Sequence, residues 1–357
     1  MAENCGTVLA VDIGGTKTIL RWTAAEGSAE CLSTYASRDA SSFEEILDRF
    51  FAEHRLQNGI DRLSMAVAGP VIGQTVRLTN LPWVIDGDAL AKAYGFGQVL
   101  LLNDLEALGW AVPVLSPDDL VVIEPGIPVS TGSIAVIAPG TGLGQAFLTW
   151  DGERHRAFPS EGGHADFAPA TEEHERLLTF LRAESTYVCV ENVASGSGMA
   201  NLYRFVRDVL GIDESKTIEQ SIAAVEDPTP PIIEHGLAGQ SARCANVLRL
   251  FSEILAAETS NVALKVMASG GIYLGGGLSP RILPLLRAPA FRSLFLRKGV
   301  YRHVLERMPI HVIRQPLAVL YGAAHYAAEI APPLHADEDA TDTRRADVAP
   351  FPGGSTR

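Results

Sequence analysis

Three observations predict an α/β fold in two lobes. The chain has 357 residues, 47% hydrophobic and 20% charged, enough apolar material for two ordinary soluble cores. Short β-rich runs alternate with helix-periodic segments along its length. A strand, glycine-turn, strand unit also occurs twice, at 8–22 and 133–150, which reads as an internal duplication.

The first unit has an apolar strand from Val8 to Ile13, a Gly14-Gly15 turn expected to use positive φ, and a second strand from Thr18 to Trp22. Only Asp12 interrupts the first strand. A lone acid in a buried run is costly unless paired, hydrogen-bonded or facing a metal, and a glycine turn offers backbone N–H groups to an anion. The stretch alone leaves two readings open, a magnesium-nucleotide grip and a plain hairpin. Cys31 to Tyr35 supplies a third, antiparallel strand after the turn-rich segment 24–30. A capping box of Ser41 and Glu44 then starts a helix with Phe43, Ile46, Leu47, Phe50 and Phe51 as its core face. Leu63 to Val67 is the next strand and ends in Ala68-Gly69-Pro70-Val71.

Asn80 to Trp83 reads as a loop, and Asp86 as the cap of a helix through about Tyr94. Strand Val99 to Leu102 stops at Asn103-Asp104, ahead of a helix over 105–110. Open α/β sheets bind ligands beyond the carboxyl ends of their strands, so Asp104 is a candidate for chemistry as well as for a simple helix cap. The second unit runs from Ser133 to Ile137, through Pro139-Gly140-Thr141-Gly142-Leu143-Gly144, and out to Trp150. Neither glycine turn has the spacing of a P-loop or a dinucleotide fingerprint. In the loop from Pro159 to Pro169, glycines permit close backbone approach while Glu161 and His164 supply polar groups; a single His without nearby Cys disfavours zinc.

A helix over 172–183 precedes Glu191-Asn192, and Ser195-Gly196-Ser197-Gly198 opens a helix with Met199, Leu202, Tyr203, Val206 and Leu210 on one face, closed by Gly211. Thr217 and Gln220 form a capping box, Pro228 to Pro231 a loop, and Cys244 to Met267 a long helix. Strand Gly271 to Leu274 opens into Gly275-Gly276-Gly277, a third glycine platform. A last helix spans Leu317 to Ile330, stopped by Pro332-Pro333, and the tail 332–357 has too few large apolar residues to order itself.

A net charge of -13, from 42 acids against 29 bases, removes the electrostatic footprint expected of a partner to nucleic acid or an anionic membrane. Four scattered cysteines without a Cys-x-x-Cys fit reduced thiols. With neither a signal-like start nor an apolar run of about eighteen residues, a cytoplasmic protein is expected.

Taken in order, Asp12-Ile13-Gly14-Gly15-Thr16, Asn103-Asp104, Pro139 to Gly144, Glu161 to Pro169 and Gly275 to Arg281 resemble the bacterial glucokinase family over about 7–330. The resemblance implies an actin-like (ribonuclease H-like) sugar kinase fold. ATP and hexose would occupy a cleft between a small lobe, 1–105 plus 317–331, and a large lobe, 106–316. Asp104 would be the catalytic base and a sugar ligand, with Asn103, Glu161, His164 and Glu191 as further sugar ligands. Asp12 would position Mg²⁺ through water. Gly14, Gly15, Thr16, Gly140, Thr141 and Gly142 would hold phosphates, while Gly276 and Gly277 would let adenosine lie against backbone. The implied reaction is ATP-dependent phosphorylation of glucose at its 6-hydroxyl, the first step of glycolysis, by a homodimer. A kinase for mannose, fructose or glucosamine is the alternative. A non-catalytic sugar sensor would need a basic DNA-binding module, which the sequence lacks. Lys17 departs from the Asn frequent at its position and matches the related repressor and open-reading-frame sugar kinases, whose cysteine-rich zinc motif is missing here.

Overall fold

Strands β1 (Val8–Ile13), β2 (Lys17–Thr23) and β3 (Glu30–Ala36) form the expected antiparallel meander in the computed structural model, which describes residues 7–24, 30–56, 60–69, 71–78 and 80–330. Alternation along β1 divides its side chains between two cores. Leu9, Val11 and Ile13 pack with helix α1 (Phe43–His54), whereas Ala10 joins the core on the opposite face. The α1 face is the expected one, but Ser42 is the N-cap, and Ser41 bonds Glu45 rather than Glu44, through its N–H at 2.7 Å and its hydroxyl at 3.0 Å. The carboxylate four residues on reaches Ser41, so no Ser41/Glu44 box forms.

Strand β4 (Arg62–Val67) leads into a small sheet, β5 (Val71–Ile72), β6 (Thr75–Arg77) and β7 (Val84–Asp86), which the sequence reading did not resolve. Asp86 caps α2 (Gly87–Tyr94) by accepting from the Ala89 N–H at 3.0 Å, and β8 (Gln98–Asn103) follows. The first large sheet has the order β3-β2-β1-β4-β8, with β4 parallel to both β1 and β8.

Helix α3 (Asp104–Ala111), strands β9 (Leu120–Glu124), β10 (Ile134–Pro139), β11 (Leu143–Trp150) and β12 (His155–Ser160), and helices α4 (Glu172–Arg182), α5 (Glu191–Ala194) and α6 (Gly196–Asp208) come next. After α7 (Lys216–Ala223), α8 (Thr229–Leu237) and the long α9 (Ala242–Val266), strand β13 (Gly271–Leu274) opens the last section. That section holds the short helices α10 (Leu283–Leu286), α11 (Pro289–Phe295) and α12 (Arg302–Leu305), strand β14 (Ile310–Ile313), and α13 (Ala318–His325). A π-helical turn, Tyr326–Ile330, continues α13.

The second sheet has the order β12-β11-β10-β13-β14-β9. Its meander β10-β11-β12 and its parallel neighbours β13 and β14 repeat the arrangement of β1-β2-β3 with β4 and β8, as a duplication requires. Two local expectations fail in this half. Ser215, not Thr217, caps α7 by accepting from the Ile218 N–H at 3.3 Å. Residues 229–231 begin α8 rather than a loop, because proline in a first helical turn lacks only an N–H that has no intrahelical partner there. The segment 25–29 and the tail 332–357 lie outside the described residues.

Helices α3 and α13 are packed together between the sheets, in a core that takes Ala10, Ala66 and Leu102 from the first sheet and Val136, Ala146 and Leu148 from the second. They approach so closely that a Cβ on Gly322 would lie 1.7 Å from the Ala107 carbonyl oxygen. Gly322→Ala is therefore expected to cost about 2 kcal/mol or more, read as a lowered urea midpoint.

Candidate functional site

Sheet register brings two carboxylates to one end of the first sheet. Asp12 pairs with Ala66 and Ala66 with Leu102, so β1 and β8 finish level across β4, and Asp104 follows immediately. Burial pushes the Asp12 carboxyl up to about 6, with the Asp104 charge adding and the Lys17 ammonium opposing. Burial likewise pushes Asp104 up to about 6, opposed by the Leu105 N–H and reinforced by Glu161. Among the described residues neither carboxylate has a salt bridge. Asn103 is the N-cap of α3, accepting from the Leu105 N–H at 2.8 Å, and Asp104 accepts from the same N–H at 2.9 Å. The Asn103 amide also donates to the Gly69 carbonyl at 3.4 Å.

The first glycine turn is built differently from expectation. Gly14 and Gly15 are not among the positive-φ glycines. What Gly15 supplies is room, since a Cβ there would lie 2.9 Å from the Asn80 side chain. The turn is fixed by the Gly14 N–H donating to the Lys17 carbonyl at 2.9 Å, the Ser37 hydroxyl to Gly14 O at 2.8 Å, and the Ser37 N–H to Thr16 O at 3.0 Å. Thr16 and Lys17 are left exposed.

The second turn is held by the start of α6, where Gly196 N–H donates to Gly140 O at 2.7 Å and Ser197 N–H to Thr141 O at 3.1 Å. Glu191 also braces it, accepting from the Leu143 N–H at 2.8 Å; a Cβ on Gly142 would lie 2.4 Å from that carboxylate. Among the described residues nothing stands within 4 Å of a Cβ placed on Gly140 or Gly277, so both flank open space there. Gly276 has φ +71 and a Cβ there would meet the Pro139 carbonyl at 2.4 Å, which ties the third platform to the second turn.

Glu161 and His164 are exposed on a single 3-10 turn after β12. The turn lies against β11: a Cβ on Gly163 would sit 2.0 Å from Leu143 O, and one on Gly162 would sit 2.1 Å from the Gln145 amide oxygen. Sequence reasoning missed what stands beneath it. Buried Gln145 donates to buried Glu258 at 2.9 Å, and Asn261 donates to the second Glu258 oxygen at 3.1 Å. The available signal was a polar residue at an inward position of β11 and an acid on the buried face of α9.

No group of three or more His, Cys, Asp or Glu able to hold a metal occurs among the described residues, and no helix there is long and apolar enough to cross a membrane.

A family model described as Glucokinase matches residues 9–330. A glucokinase of Trichormus variabilis is 37% identical over 339 residues, covering 90% of this chain and 99% of its own. A solved glucokinase structure from an Antarctic psychrotroph superposes with a TM-score of 0.78 at 30% identity, over 90% of this chain and 98% of its own. A glucokinase of the ROK family from Streptomyces griseus, solved in complex with glucose and AMPPNP, shares the fold at TM-score 0.61 and 20% identity, over 89% of this chain and 98% of its own.

Proposed function

This chain belongs to the glucokinase family and has its two-lobed actin-like fold, and from that premise we propose that it transfers the γ-phosphoryl group of ATP to the 6-hydroxyl of glucose. The observation that carries the reading is the pair of half-buried carboxylates without salt bridges among the described residues, Asp12 and Asp104, both raised by desolvation, at the open end of the first sheet.

Phosphoryl transfer asks little covalent work of a protein and draws its rate from alignment and charge neutralisation. Asp104, raised to about 6, is ionised at neutral pH yet basic enough to accept the hydroxyl proton. Asn103, Glu161, His164 and Glu191 take the other hydroxyls, which each donate and accept. The turns 14–16 and 140–142 receive phosphate oxygens, and 276–277 admits adenosine to the backbone beside Pro139. Asp12 fits a divalent cation, because its half-buried carboxylate, held up to about 6, has no salt bridge among the described residues and only the charge of exposed Lys17 to offset it. Mg²⁺ keeps several waters and needs only one or two carboxylates, so the absence of a three-ligand cluster among the described residues does not count against it. Bound there, it would neutralise charge on the transferring phosphate. The moving lobes are 1–105 with 317–331 against 106–316, working as a cytoplasmic homodimer. Sedimentation at micromolar concentration should give twice the chain mass.

A coupled assay over glucose, mannose, fructose and glucosamine should show the highest kcat/KM for glucose, with little ATP hydrolysis when sugar is omitted. A higher kcat/KM for another hexose overturns the substrate assignment.

A further inference from the structure

Behind His164 lies a short polar chain that the reaction scheme leaves unused. Segment 187–190 pairs with the loop that carries His164: Phe167 N–H donates to Val188 O at 2.9 Å, Val190 N–H to Ala165 O at 3.0 Å, and the Tyr187 hydroxyl to the His164 carbonyl. This pairing sets buried Cys189 beside the imidazole, its Sγ 3.9 Å from Nδ1. On its other side Cys189 meets Asn192, whose Oδ1 lies 2.9 Å from the Cys189 N–H and 3.3 Å from Sγ. A backbone N–H can only donate, so the Asn192 atom it meets is the carbonyl oxygen. Asn192 is itself held by the Asn201 amide, which donates to its backbone oxygen at 2.9 Å.

The distances from Sγ, 3.3 Å to Asn192 Oδ1 against 3.9 Å to His164 Nδ1, then favour one placement of the thiol proton. The thiol has a single proton, and the nearer acceptor, Asn192 Oδ1, takes it. Toward His164 the sulfur can only accept. We infer that Cys189 and Asn192 are positioning residues that hold neutral His164 as its Nδ1–H tautomer, which leaves Nε2 as an acceptor for a donating sugar hydroxyl. The tautomer assignment stands on these contacts alone, while its consequence for sugar binding rests on the proposed role of His164. Serine at position 189 can make the same relay, and alanine cannot.

The test is a long-range ¹H–¹⁵N spectrum of protein labelled at histidine, recorded without ligand above the imidazole titration, alongside glucose kinetics. His164 should show a protonated Nδ1 in the parent and in Cys189→Ser, and lose that preference in Cys189→Ala. KM for glucose should rise about 3- to 10-fold in Cys189→Ala, the scale of one weakened hydrogen bond, with kcat changed less than about 2-fold. A protonated Nε2 in the parent, or an unchanged tautomer in Cys189→Ala, overturns the inference. A shifted tautomer with unchanged KM upholds it and removes His164 from the sugar ligands.

Discussion

Asp104→Asn is expected to lower kcat by about 10³-fold and to leave the dissociation constant for glucose within a few fold of the parent. Asparagine keeps the size and one carbonyl oxygen of the residue, so it can go on accepting from the Leu105 N–H that aspartate accepts at 2.9 Å. It cannot take a proton at neutral pH. Uniform binding is therefore retained and only a transition-state contribution is lost, which appears in kcat with little change in KM. The parent should show the same group in its pH profile. With the carboxyl raised to about 6, the basic form is lost as pH falls through that value, and kcat should decline tenfold per pH unit below it. Calorimetric titration with glucose and a coupled assay measure the two halves. A mutant within tenfold of the parent would refute the base assignment, and loss of glucose binding would show that Asp104 chiefly holds the sugar.

Elements with a local cause were legible in the sequence. Strand Val8–Ile13 and helix Ala242–Val266 announce themselves by composition and period, and the repeat of strand, glycine turn and strand foretold two sheets of like order. Asp12 and Asp104 were legible as candidates because each is an acid at the end of an apolar strand. Strand Ile310–Ile313 was missed, since four residues between helices carry no period of their own and become a strand by pairing with Gly271–Leu274 on one side and Leu120–Glu124 on the other. Both capping boxes were placed wrongly because several hydroxyls and carboxylates compete within one turn of each helix start. For Gly14 and Gly15 the residue type was informative and the inferred cause was not, since Asn80, over sixty residues away, sets the demand at Gly15. The Gln145–Glu258 brace spans 113 residues and has no local signature beyond two polar residues on buried faces.

Asp12→Asn should make the ligand-free protein more stable and the enzyme about 10²-fold slower. The free-energy sign follows from the carboxyl being raised from 3.8 to about 6 in the folded state. Between those values the native protein binds more protons than the unfolded chain, so stability falls as pH rises through the window, and above about 6 the full cost of the buried charge is felt. At pH 7.5 that cost is about 1–3 kcal/mol, which an uncharged amide of the same shape removes. Thermal unfolding without ligands should thus show a midpoint a few degrees higher for Asp12→Asn at pH 7.5, with the gap closing toward pH 4, where the parent carboxyl is itself protonated. The same substitution withdraws the charge proposed to position Mg²⁺, so raising the metal concentration should restore activity only in part. Mg²⁺ with nucleotide should in turn raise the midpoint of the parent more than that of the mutant, because only the parent has a buried charge to neutralise. An equal or lower midpoint in Asp12→Asn at pH 7.5 would mean that an unseen partner already compensates the charge. Unchanged activity would return the first glycine turn to a plain hairpin.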